Sequence, residues 1–152
     1  MFCLDIKVKN EYSDYLNKLF NGIDLANYVW EIHADDFLYT ENGAVKGKLF
    51  ERDVLTGEEF YKCISRDSYY MIFADIKAYP LDEEHIEINT LEDFLESNCE
   101  MVLLCTDSTY IEFYCKSREI LDRINNNCKS DNFLNVEFKS LNDISGRKLI
   151  AW

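Results

Sequence analysis

The chain has 152 residues, a net charge of −13, 47% hydrophobic residues and 14% aromatics. That length fits about one domain, and that apolar content excludes a disordered chain despite the charge. One proline and five glycines leave no linker or low-complexity tract, and the longest apolar runs fall far short of the roughly 20 residues a spanning helix needs.

The start, Met1 to Asn10, carries no basic leader ahead of an apolar core, so no secretory signal is expected. Cysteines stand at 3, 63, 99, 105, 115 and 128 with no CxxC pair. A domain of this size does not need disulfide staples, so they are read as buried, reduced thiols of a cytoplasmic protein.

In chain order, Phe2, Leu4, Ile6 and Val8 alternate with polar neighbours and predict a half-buried strand. Tyr12, Tyr15, Leu16, Leu19 and Phe20 then follow helical spacing, with Asn21-Gly22 as a stop. "YVWEIH" and "DFLYT" predict short strands, and Asn42-Gly43 predicts a hairpin turn, since both residues tolerate positive φ. Thr56 and Glu59 form a capping box for a helix near 57–66. "DSYYMIFADIKAYP", residues 67–80, is apolar on both faces to position 74 and predicts one central strand. Asp75 is expected at its rim, paired with a basic side chain, with Pro80 ending the ladder.

"HIEIN" predicts a short amphipathic strand, and Thr90 with Asp93 caps a helix through Leu91, Phe94 and Leu95. "MVLLCT" and "TYIEFYCK" predict a hairpin turning at Asp107-Ser108, and Ser117 caps a helix carrying Ile120, Leu121 and Ile124. "NFLNVEFKS" and "RKLIAW" predict the last strands. The fold expected is α+β, a single globular domain over residues 1–152. It has a mixed, mostly antiparallel sheet of about eight to ten short strands and about four helices.

"DSYYMIFADIKAYP", "YVWEI", "INTLEDFLES" and the terminal "RKLIAW" resemble a domain-of-unknown-function family of small cytoplasmic proteins from bacillus- and clostridium-type bacteria. The resemblance spans nearly the whole chain. It implies a bacterial, intracellular, single-domain protein, and it carries no activity and no functional residue.

The chain lacks GxxxxGK[ST], GxGxxG, GxSxG and HExxH, and so gives no phosphate-cradling loop and no recognised nucleophile or metalloprotease signature. No catalytic residue, metal ligand or cofactor is assigned, and the balance leans away from an enzyme. A catalytic cysteine at 63, 105 or 115 would need His33 or His85 as its base. Both histidines sit between acids at alternate positions: Glu31, His33 and Asp35 in "EIHAD", Glu83, His85 and Glu87 in "EEHIE". On two neighbouring strands these would point to one side and offer a divalent-metal site able to activate water. The competing expectation is two solvated strand faces.

Charge is the sharper clue. Residues 1–115 hold nine Lys and Arg against 24 Asp and Glu, whereas residues 116–152 hold seven against five. No Lys or Arg lies between Lys77 and Lys116. Nucleic acid is therefore not an expected ligand, because phosphate binding rests on Lys and Arg. The leading expectation is a non-catalytic binding protein, of the immunity or inhibitor kind, engaging a basic protein partner. Its candidate surface is Asp82, Glu83, Glu84, Glu87, Glu92, Asp93 and Glu96. The alternatives are the metal-binding or metal-dependent hydrolytic reading and a small-molecule binder with a tyrosine-lined pocket. No membrane partner and no particular oligomeric state are implied.

Overall fold

Leu4, Ile6 and Val8 of β1 (Cys3–Val8) alternate into one core while Cys3 enters another. That division organises the molecule. The structure is a computed structural model and describes residues 3–35, 37–129 and 133–151; Phe2 and Trp152 lie outside them.

Seven strands form the main sheet, in the order β10 (Phe133–Lys139), β1, β9 (Tyr110–Cys115), β8 (Met101–Thr106), β7 (Phe73–Pro80), β2 (Tyr28–Asp35) and β5 (Val54–Thr56). A second sheet orders β4 (Ala44–Lys48), β3 (Leu38–Glu41) and β6 (Ser68–Tyr70). Every pairing in both sheets is antiparallel, so the α+β class holds. Asn42 and Gly43 turn the β3–β4 hairpin at φ 53 and 79°, and Asp107 and Ser108 turn β8–β9 at φ 50 and 65°. Both turns have positive φ at each central residue, as twisted hairpins require.

Helices α1 (Tyr15–Leu19), α2 (Gly57–Ile64) and α4 (Arg118–Asn127) cover one face through Leu16, Leu19, Phe60, Leu121 and Ile124. Trp30 stacks on Phe60 at 4.1 Å between centroids. Gly57 opens α2 because a Cβ there would lie 2.1 Å from the carbonyl oxygen of Leu25. The other face is covered in part by α3 (Leu91–Glu96), α5 (Leu141–Ile144) and residues 147–151, which bury Phe94, Ile144 and Leu149 on Tyr79, Val102 and Tyr114. "MVLLCT" reads as a continuous apolar run because Met101, Leu103 and Cys105 enter the first core and Val102 and Leu104 the second. Helices this short are not stable alone; packing on the sheet holds them.

The predicted capping boxes at Thr56/Glu59 and Thr90/Asp93 are present, and a third forms at Ser140/Asp143. Three expectations are corrected. The 67–80 stretch is two strands in two sheets, β6 and β7, with a bend at Met71-Ile72. Tyr69 and Met71 alternate one residue out of phase with Ala74, Ile76 and Ala78, yet all five enter the same core. A straight strand would send the two sets to opposite faces, so the chain must bend. "HIEIN" is not a strand: residues 83–89 cross the second face of the sheet, held by buried Ile88. The "RKLIA" segment is irregular too, with a bridge between Thr90 and Lys148 and a bond from Leu149 N to Asn89 O.

Candidate functional site

On the second face, antiparallel register aligns polar residues into a row. His33 lies opposite Asp75, Asp75 opposite Leu104, Leu104 opposite Glu112, Glu112 opposite Asp5, and Asp5 opposite Glu137. Like charges placed this way repel unless neutralised, and most of the row is. Lys77 Nζ sits 2.5 Å from Asp75, Arg147 grips Asp5 in a two-pronged contact at 2.8 and 2.9 Å and reaches Glu112 at 3.4 Å, and Lys139 lies 2.9 Å from Glu137. The bond to Asp5 raises the Arg147 pKa further above the usual guanidinium range. Nothing in the sequence marks Arg147, which is 142 residues from Asp5.

Asp75 is not a rim carboxylate. Its side chain is 7% exposed and that of Lys77 5%, because they alternate on the face that Tyr79 and the crossing 83–89 segment cover. Taking two charges out of water costs about as much as their attraction returns, so apolar residues there would be equally stable. A buried ion pair at the base of a cleft is therefore a candidate for function more than a source of stability.

That cleft, of about 360 Å³, runs between β2, β7, residues 85–89 and residues 150–151. Glu31 lines it and meets both histidines. One carboxylate oxygen lies 3.2 Å from His33 Nε2 and the other 3.3 Å from His85 Nδ1. The His85 ring stacks on Tyr79 at 4.2 Å, and the Tyr79 hydroxyl donates to Ile86 O at 2.9 Å. Burial pushes the Tyr79 phenol up, so it stays a donor.

The two acid–histidine segments therefore meet, but not as paired strands. Glu31, His33 and His85 converge; Glu83 turns away to accept from Asn98 Nδ2 at 2.8 Å, and Glu87 accepts from Asn89 at 3.2 Å. The Asp35 side chain lies outside what the structure describes. Among the described residues no three His, Cys, Asp or Glu are arranged to hold a metal ion.

All six cysteines are free. Burial pushes the thiols of Cys99, Cys105, Cys115 and Cys128 up to about 12 and raises those of Cys3 and Cys63 as well. A nucleophile needs the thiolate, so these positions behave as core.

The acidic surface follows directly from the end of β7. Asp82, at φ 59°, turns the chain off Pro80, a left-handed conformation Asp tolerates. Asp82, Glu83, Glu84, Glu87, Glu92 and Glu96 are exposed. Asp93 differs: it is half-buried and accepts from the backbone N–H groups of Asn89 and Thr90, both at 3.0 Å. Those bonds, that from Asn89 first, hold its carboxyl below the usual range. Between the acids stand Leu81, Ile86 and Leu95, 50%, 51% and 40% exposed. Asn98 pins the turn by donating also to Glu84 O at 3.0 Å. Lys116, distant in sequence from the acidic helix, donates to Ser97 O at its end.

Among the described residues no helix is long and apolar enough to cross a membrane. A Bacillus subtilis protein, "Uncharacterized protein YncE", is 29% identical over 136 residues, 89% of each chain. No solved structure matches. The family model described as "Protein of unknown function (DUF2691)" matches residues 1–150, and the chain belongs to that family.

Proposed function

We propose that this chain is a non-catalytic, cytoplasmic binding protein that engages a basic protein partner through the surface from Leu81 to Glu96, in the manner of an inhibitor or immunity protein. The observation that carries the reading is the mixture on that surface. Three exposed aliphatic side chains, Leu81, Ile86 and Leu95, lie among six exposed carboxylates. Acids alone serve solubility. Apolar anchors surrounded by charge are how an interface combines affinity with steering, the anchors supplying desolvated contact and the charge supplying rate and orientation. The turn is also fixed before binding, by Ile88, Asn98 and the Tyr79–Ile86 bond, and a surface already ordered loses less entropy on association.

The test is affinity capture with the wild-type chain, a Glu92→Lys/Glu96→Lys variant and a Leu81→Ser/Ile86→Ser variant. The expected result is a basic protein retained at low salt, weakened at high salt as exposed charges are screened, and lost to both variants. A captured protein indifferent to salt and to both variants would remove the basis of the reading.

A further inference from the structure

We propose that the cleft between β2, β7 and residues 85–89 binds a small organic cation, an alkylguanidinium or alkylammonium group. The head would rest on the Glu31–His33–His85 wall and the stem against Ile86, Ile88 and Ile150.

Hydrogen-bond accounting selects the ligand class. An ionised carboxylate only accepts, so each imidazole must turn an N–H toward Glu31: Nε2–H of His33 and Nδ1–H of His85. In the neutral ring the other nitrogen is then an acceptor, so His33 Nδ1 and His85 Nε2 offer lone pairs. Asp75 uses Oδ1 on Lys77 and Glu87 uses Oε1 on Asn89, and each keeps a second oxygen. The cleft therefore presents mostly acceptors. Its fixed charges are Glu31, Asp75 and Glu87 against Lys77, whose ammonium is committed to Asp75 at 2.5 Å. Among the described residues Glu31 forms no ion pair with a Lys or Arg, since Lys77 opposite it on β7 turns its ammonium to Asp75, in contrast to Asp5, Glu112 and Glu137 along the same face.

An anion has too few donors to meet here, and Glu31, His33 and His85, although they meet, are not arranged to hold a bare divalent ion. A guanidinium supplies up to five N–H donors and an ammonium three. Ile86, Ile88, Ile150 and Ala151 supply the apolar wall along which the methylene stem of such a cation packs. A volume of about 360 Å³ sits at the lower end of small-molecule sites. The floor is rigid, because the Asp75–Lys77 pair and Tyr79 are buried in the sheet face and the half-buried His85 ring stacks on Tyr79.

This site shares Ile86 and Glu87 with the acidic surface proposed for a protein partner but excludes Leu81, Glu92, Leu95 and Glu96, and its test separates the two. The probe is agmatine, titrated calorimetrically into wild type, Glu31→Gln and Glu92→Lys/Glu96→Lys, with a capped Ala-Arg-Ala peptide as a second arm. Saturable one-to-one binding of agmatine is expected, weakened at least about tenfold in Glu31→Gln, the value of one charge-assisted hydrogen bond. Glu92→Lys/Glu96→Lys should retain agmatine affinity within about twofold, since those charges lie outside the cleft. Tighter binding of agmatine than of the peptide identifies a free small molecule as the source of the cation; the reverse identifies an arginine side chain of another protein.

Independently of any variant, the chain's two histidines give two resolvable sets of imidazole C–H resonances, and agmatine should shift both. No shift of either at about 10 mM agmatine, well above a millimolar Kd, overturns the proposal. So does equal loss of binding in Glu31→Gln and Glu92→Lys/Glu96→Lys, which would reduce it to the general field of an acidic protein.

Discussion

His85 and Glu31 are 54 residues apart in sequence and 3.3 Å apart in space, and that contact ties the crossing 83–89 segment to the sheet. Glu31 also holds His33 at 3.2 Å, so one carboxylate orients both imidazoles of the chain. The same segment continues outward into the exposed acids and aliphatics. The cleft and the outer surface are thus two sides of one ordered crossing.

The Asp75–Lys77 pair should behave as a buried ion pair, not as a surface salt bridge. Lys77→Met alone strands a buried carboxylate and should cost about 3–5 kcal/mol in urea unfolding. The double variant Asp75→Leu/Lys77→Met should recover most of that loss, and a double variant as unstable as the single one would contradict the burial of the pair. If the pair serves the cleft, the refolded double variant should still lose agmatine affinity.

Gly57 tests the packing of α2 on the turn at Leu25–Asn27. Its added Cβ would lie 2.1 Å from Leu25 O and 2.5 Å from Ala26 Cα, both backbone atoms with no side-chain freedom to yield. Gly57→Ala reduces the freedom of the unfolded chain and would gain about 0.4–1 kcal/mol on that ground alone. The clash should outweigh that and give a net loss of about 1–3 kcal/mol, the range for overpacking. Thermal unfolding of the variant beside wild type reads the sign directly.

The local features were legible because their causes are local. Alternation gave β1, a continuous apolar run gave β8, and Asn42-Gly43 and Asp107-Ser108 gave their turns. Thr56/Glu59 and Thr90/Asp93 gave two helix starts, since a cap needs only residues within four of each other. The bend at Met71-Ile72 was missed although a phase slip is written in the sequence: two apolar alternations offset by one residue read equally well as a strand covered on both faces. "HIEIN" was misread because amphipathic alternation cannot tell a strand from a segment lying across a sheet. The meeting of Glu31 with His33 and His85 was half legible, from the repeated acid–histidine pattern. The burial of Asp75 and the grip of Arg147 on Asp5 depend on which loops cover which face, and no spacing in the chain records that.

Cysteine reactivity should report the core and not a site. Burial holds the thiols of Cys99, Cys105, Cys115 and Cys128 at about 12, so at neutral pH they carry almost no thiolate. Iodoacetamide should leave these four unmodified in the native protein near pH 8 and modify all of them in denaturant, with Cys63, half-exposed on α2, reacting first. Peptide mass analysis after timed quenching separates them. Rapid native labelling at Cys105 or Cys115 would show an activated thiol and reopen the catalytic reading.

Asp93 and Asp143 should make stability fall on the acid side. Backbone N–H bonds lower both carboxyls from their ordinary 3.8, that of Asn89 first for Asp93 and that of Ser140 for Asp143. A carboxyl lower in the folded than in the unfolded chain binds its proton more readily after unfolding. Its contribution is therefore complete above the unfolded value, shrinks as pH falls below it, and is gone once pH has passed the folded value. Asp93→Asn should accordingly lower Tm at neutral pH, and the difference from wild type should close as pH falls below about 3.8. Asp143→Asn should behave in the same way, with the two effects additive because the boxes serve separate helices, α3 and α5. A Tm gap that stays constant from neutral pH to about pH 2.5 would mean that the charge of these caps contributes nothing and their geometry everything.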